Sequence, residues 1–248
     1  MTRKRTSDTD SNYISLSFGL NCFLIIFLYP IRNRKKNPSR AVMEVVKLPE
    51  PDLMGNISVE EAIQNRRSVR TYANKSLSIK DVSQLMWAAQ GITDEQNNLR
   101  VAPSSGRTYP LEIYLVVGKG GVERVGEGVY HYNPNNHELE KLLNGDKRSD
   151  LSNAANGQGA VAGGLVDIVI TGNYQRTMAK YGDNNLSIRF VHLEAGHTGE
   201  NIYLEAAARG LATVSIGSFN DDTVKTLLNI PADETTLYIF PVGFSNSE

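Results

Sequence analysis

The chain has 248 residues, a formal net charge of -1 and 40% hydrophobic residues, which is enough for one domain with a sizeable core plus an appendage. Near-neutral charge supplies no general attraction to nucleic acid, and a lone cysteine, Cys22, excludes an intrachain disulfide framework or a multi-thiolate metal site within one chain. Four histidines leave little material for a histidine-rich centre, so no metal is expected.

Residues 1–42 form a basic and apolar N-terminal segment. Residues 13–30 are its apolar run, flanked by Arg3, Lys4 and Arg5 on one side and by Arg32, Arg34, Lys35, Lys36 and Arg40 on the other. The run is borderline for spanning a bilayer and lacks the small residues of a signal-peptide cleavage site. Two readings stand. It is a single membrane anchor whose heavier basic flank holds the remainder on the cytoplasmic face, or translation begins at Met43 and the stretch is not part of the working protein. Both readings leave residues 43–248 cytoplasmic, tethered to the membrane in the first.

Lys47-Leu-Pro-Glu-Pro-Asp52 reads as an extended, proline-restricted lead-in. Ser58 and Glu61 read as a capping box opening a short helix that ends near Arg66, and Ser78 and Asp81 as a second box. Behind the second, Val82, Leu85, Met86 and Ala89 lie on one face of a helix stopped by Gly91. Strands are expected over 112–117, 128–132, 166–171, 212–216 and 237–240. Gly118–Gly121 is expected to form a hairpin turn and Asn133–Asn136 another. A long helix is expected from about Arg189 to Arg209, with Val191, Ala195, Ile202 and Ala206 inward and Gly210 as its stop. This order predicts an α+β fold with helices on both sides of a largely antiparallel or mixed sheet.

Two motifs carry little chemistry. Gly157–Gly163 has a dinucleotide-like glycine pattern but precedes a strand instead of following one, so no helix N-terminus would face a phosphate. His192 and His197 are five apart, about 140° around a helix, which suits a packed interface better than a zinc pair.

Asn65-Arg-Arg-Ser-Val-Arg-Thr-Tyr72 gathers Arg66, Arg67 and Arg70 around the Ser68 hydroxyl. Guanidiniums and a hydroxyl suit a phosphorylated ligand; the alternative is cations answering the negative end of a helix dipole. This segment resembles the Arg-Arg-Ser-x-Arg motif of the nitroreductase family, in particular its SagB/ThcOx-type branch. Leu85–Ile92, Ala102–Glu112 with its Pro-Ser-x-Gly…Tyr-Pro-Leu-Glu pattern, and His192–Leu204 followed by Gly210–Gly217 are similar to that branch in the same order.

The resemblance implies a three-layer α/β/α sandwich with a mainly antiparallel mixed sheet, and a homodimer with FMN between protomers. Arg66, Arg67, Ser68 and Arg70 would hold the phosphate and ribityl chain. Pro103, Ser104, Ser105 and Gly106 would line the isoalloxazine from the partner protomer, although alone they read as a turn before a strand. Ile216 and Gly217 would present backbone groups to the ring. A cationic residue that family members often place beyond the final strand is missing from Pro241–Glu248.

The implied activity is ping-pong: NADH or NADPH gives hydride to the flavin, and an electron-poor small molecule, a nitroaromatic or quinone, then takes the electrons. A second reading, dehydrogenation of peptide azoline rings with a cyclodehydratase partner, would use Lys180 and Tyr181 for proton abstraction. Against it, these two could lie in a solvated loop before Gly182-Asp-Asn-Asn185. A third reading is a non-catalytic FMN-binding or membrane-tethered interaction protein.

Overall fold

The computed structural model describes residues 41–246; the apolar run 13–30 and Cys22 lie outside the described residues. In chain order the elements are β1 (Glu44–Lys47), α1 (Val59–Asn65), β2 (Tyr72–Ala73), α2 (Ile79–Gln90), β3 (Ile92–Asp94), β4 (Leu99–Arg100), β5 (Leu111–Val117), β6 (Gly128–Asn133) and β7 (Glu138–Asn144). They continue with α3 (Arg148–Ala154), α4 (Gly159–Gly163), β8 (Val166–Gly172), α5 (Tyr174–Tyr181), α6 (Asn184–Ala208), β9 (Leu211–Thr213), α7 (Asp221–Leu227) and β10 (Thr235–Ser245).

Both β5 and β8 are buried along their whole length, because each presents apolar side chains alternately to two cores. On one face Ile113, Leu115, Ile168 and Ile170 meet Leu85 and Met86 of α2 and Val191 and Ile202 of α6. On the other, Tyr114, Val116 and Val169 meet Leu151 of α3, Val161 of α4 and Val224 of α7. The result is the three-layer α/β/α arrangement expected from the sequence. Sheet order is β1-β7-β6-β5-β8-β10-β2, with β9 joined to β10. Every pairing between named strands is antiparallel; among the described residues parallel geometry enters only through the isolated bridges Ser68–Thr213 and Leu77–Val122.

Several expectations shift, each for a local reason. The long helix begins at Asn184, not Arg189. Gly182, at φ +66°, closes α5, and the Asp183 carboxylate then accepts from the Leu186 N–H at 2.7 Å to open α6. The lead-in at Lys47 is the end of a strand, β1, paired with β7. Strand β7 itself, Glu-Leu-Glu-Lys-Leu-Leu-Asn, is built from good helix formers and is held extended by two neighbouring strands. Gly118–Gly121 makes a turn, the Gly121 N–H donating to the Gly118 carbonyl at 2.9 Å, but β6 starts only at Gly128, so it is not a tight hairpin.

The two helix starts also differ. Ser78 and Asp81 form the full reciprocal box. At α1 the Ser58 hydroxyl accepts from the Glu61 N–H, but the carboxylate turned to Ser58 is that of Glu60, held below its usual range by its backbone N–H and that hydroxyl. Ser78→Ala should therefore lower unfolding free energy by about 1 kcal/mol in urea titration, and Ser58→Ala by less. Equal losses would contradict the difference between the two caps.

Candidate functional site

Helix α1 ends where Arg66 donates its N–H to the Ala62 carbonyl at 2.9 Å. The chain then runs extended alongside β9: Ser68 bridges Thr213, and the Val69 N–H donates to the Thr213 carbonyl at 2.9 Å. That stitching brings the arginine segment against Tyr203 of α6. The Tyr203 hydroxyl lies 2.9 Å from the Ser68 Oγ, accepts from the Ser215 N–H at 2.7 Å, and lies 3.4 Å from the Ser215 Oγ. Strand β9 ends at Thr213 instead of Ile216 because the next position that would exchange bonds with β10 faces Pro241, which has no N–H; pairing resumes at the isolated Ile216–Ile239 bridge. The Arg66 guanidinium lies 5.1 Å from the Tyr203 ring centroid, and the Phe240 ring meets the same tyrosine edge-on at 5.6 Å.

The other predicted phosphate ligands divide their work. Arg67 is exposed and its Nη1 donates to the Gln64 and Arg66 carbonyls at 2.8 and 2.7 Å, the helix-terminal role weighed from the sequence. A guanidinium has further donors, and Arg67 also lines a 230 Å³ cavity with Tyr203, Thr213 and Ser245. Arg70 is exposed; its charge opposes burial and Asp167, which together push the Tyr72 phenol well above its ordinary range. Of the four, Arg67 alone lines that cavity, while Arg66 and Ser68 face Tyr203; guanidiniums and a hydroxyl are groups chemically matched to a phosphate. Ile216 is buried and gives its N–H and C=O to Ile239 at 2.8 and 3.0 Å, so of the predicted pair only Gly217 is open, its edge toward the Tyr238 ring. The cation near the end of β10 is Lys75, whose ammonium sits 4.1 Å from the Phe244 ring centroid.

A second group forms around Pro103–Gly106. Gly106, Arg107 and Tyr109 all have left-handed backbones, at φ +60°, +56° and +42°. Helix α5 pins them. The Lys180 Nζ donates to the Gly106 carbonyl at 2.6 Å, Thr177 and Thr108 hydroxyls lie 3.1 Å apart, and Arg176 donates to the Tyr109 carbonyl at 3.0 Å. A Cβ on Gly106 would stand 2.7 Å from the Lys180 side chain and the Tyr181 hydroxyl. Lys180 and Tyr181 thus end a helix against this loop and are not in a solvated loop. The first group centres on Tyr203 and the second packs near Phe190 and Glu194, nine residues earlier on α6, about 14 Å along its axis.

Tyr203 and Glu194 have no role in the sequence reading. Both sit on the inward stripe that already marked Val191 and Ala195, and a phenol or carboxyl on such a stripe needs partners. His192 and His197 lie on the exposed face, His192 bonded to the Tyr174 hydroxyl at 2.8 Å. Among the described residues no cluster of three or more His, Cys, Asp or Glu could hold a metal ion, and no helix is long and apolar enough to cross a membrane.

A family model for the nitroreductase family matches residues 63–244. The chain belongs to the nitroreductase family. A protein of Methanocaldococcus jannaschii that carries the nitroreductase name is 38% identical over 200 residues, 81% of this chain and 97% of that one. A solved structure of a nitroreductase-named protein from Ralstonia eutropha superposes with a TM-score of 0.71 at 28% identity, covering 82% of this chain and 90% of that one. The microcin B17-processing protein McbC of Escherichia coli is 26% identical over 174 residues, 68% of this chain but 61% of its own length. The family fold and the branch resemblance noted from the sequence therefore stand together.

Tyr203→Phe keeps the ring against Arg66 and Phe240 but leaves the Ser215 N–H unpaired. It should cost about 1–3 kcal/mol of stability in denaturant titration; an unchanged midpoint would mean that Ser215 finds another acceptor.

Proposed function

We propose that the chain is an FMN-dependent oxidoreductase, its domain beginning near residue 43, that passes electrons from NADH or NADPH to a small electron-poor acceptor. The observation that supports this reading is the meeting of Arg66 and Ser68 with Ser215 at Tyr203, two residues before the open Gly217. FMN, when bound, would supply two-electron hydride chemistry that no side chain here offers. Ser68, Arg66, Arg67 and Arg70 would hold its phosphate, and Gly217 would let backbone approach the flat ring. Pro103–Gly106 of the partner subunit would close the other side in a homodimer, in keeping with its distance along α6 from the phosphate group. Protons reach the acceptor from water, so no general acid is required of the protein. The working location is the cytoplasm.

A second reading, azoline-ring dehydrogenation with a cyclodehydratase partner, is favoured by one contact. Lys180 and Tyr181 reach Gly106, the loop assigned to the flavin face. The likeness to a peptide-processing protein points the same way. In that reaction Tyr181 and Lys180 would take a ring proton while hydride leaves to the flavin, giving an aromatic azole.

Purified full-length protein incubated with FMN should retain a band near about 450 nm that bleaches anaerobically with either nicotinamide nucleotide. A band that neither nucleotide bleaches would shift the assignment to the dehydrogenase, and a colourless protein would end both. Replacing Arg66 and Arg67 together by Ala should weaken FMN binding at least about tenfold by fluorescence titration, the scale of one charge-assisted hydrogen bond. Undiminished affinity would return both arginines to a helix-capping role.

A further inference from the structure

Under the Pro103–Gly106 loop lies a buried acid that neither functional reading uses. Glu194 of α6 is 2% exposed, and its Oε1 has no hydrogen-bond partner among the described residues. A carboxyl so enclosed without full pairing is costly and calls for a reason. Its neighbours come from four elements. Ser104 of the loop and Gln90 of α2 are its polar neighbours, and the cations facing it are Arg100 of β4 and Arg176 of α5, the latter paired with Glu112 of β5. Arg100 also donates to the Gln90 Oε1 at 2.9 Å and stacks 4.7 Å from the centroid of Tyr109.

The loop above is strained. Arg107 and Tyr109 are non-glycine residues with left-handed backbones, a conformation that survives only where surroundings enforce it. One enforcing bond is the Tyr109 N–H to the Ser104 Oγ at 2.9 Å. A serine hydroxyl has one proton. With its oxygen accepting from Tyr109, that proton is left to donate, and the neighbouring carboxyl of Glu194 can receive it.

We propose that Glu194 is a positioning residue: its carboxylate orients the Ser104 hydroxyl, which in turn clamps Tyr109 and fixes the strained loop that faces the reactive centre. The consequence for flavin rests on the function proposed above; the clamp itself does not. Burial, outweighing Ser104, Arg100, Gln90 and Arg176, pushes this carboxyl up to about 7 from its usual 4.5, so the clamp is ionised above neutrality and protonated below it. Protonation removes the charge that strengthens the Ser104 bond, and the loop loosens. Global stability runs the opposite way. A carboxyl raised in the folded state contributes stability below its unfolded value, and that contribution is lost as pH rises from about 4.5 to 7. Tightening of the loop with rising pH is therefore no by-product of a more stable protein.

The test uses the full chain without FMN, then with it. Hydrogen exchange at Tyr109, corrected for intrinsic rate, should slow about tenfold from pH 5.5 to 8.5 in the wild type, the equivalent of one charge-assisted hydrogen bond. In E194Q the amide should show no pH-dependent change, and S104A should exchange fast at every pH even if E194Q folds poorly. FMN affinity, followed by fluorescence quenching, should show the same pH midpoint in the wild type and lose it in E194Q. A Tyr109 amide insensitive to pH in the wild type, or equally sensitive in E194Q, overturns the proposal. A protein that binds no FMN at any pH defeats the flavin reading but leaves the exchange measurement on the free protein to decide the role of Glu194.

Discussion

The phenol of Tyr203 is where three separate stretches of chain become one site. A tyrosine hydroxyl buried on α6 must find partners, and it finds the Ser68 hydroxyl and the Ser215 backbone. That single demand holds the end of α1 against the sheet and sets Arg66 over an aromatic face whose other contact is Phe240 in the core. The arginines can present charge to solvent because the hydroxyl network anchors the backbone between them. The site is fixed from below by packing, and its upper surface remains open.

Buried polar groups in this fold are of two kinds. Glu234 is satisfied, accepting from Tyr114 at 2.8 Å and Thr171 at 2.6 Å, and ties β10 to the neighbouring strands as a structural cross-link. Asp167 and Glu194 are not fully satisfied. Asp167 is enclosed in the sheet with both oxygens unpartnered, and burial drives its carboxyl far up, Arg148 notwithstanding. Glu194 differs in its neighbours: it lies beside a loop that holds left-handed residues, with two guanidiniums facing it, and the proposed clamp acts through that loop.

Relatives of this chain carry both nitroreductase and microcin-processing names, as one fold can host different activities. This chain spans nearly all of its M. jannaschii relative but under two thirds of McbC. On the assignment proposed above, the loop at Gly106 with Lys180 and Tyr181 is where those activities would diverge, since Lys180 and Tyr181 bring ionisable side chains against it.

Much of this was legible in the residues. Periodicity located α2 and the inward face of α6 because a half-buried helix must repeat its apolar residues at three and four, and β-branched runs located β5 and β8. The arginine and proline-serine segments stood out because their chemistry is local and contiguous. The sequence could not reveal β7, whose composition favours helix and whose strand state is imposed by neighbours distant in the chain. It could not place Lys180 and Tyr181 at Gly106, nor Ser104 above Glu194, because those contacts join residues 74 and 90 positions apart. Sequence determined which elements exist and what chemistry they carry. Tertiary structure decided which of them meet, because a contact between distant segments is set by how the whole core closes and not by any local preference.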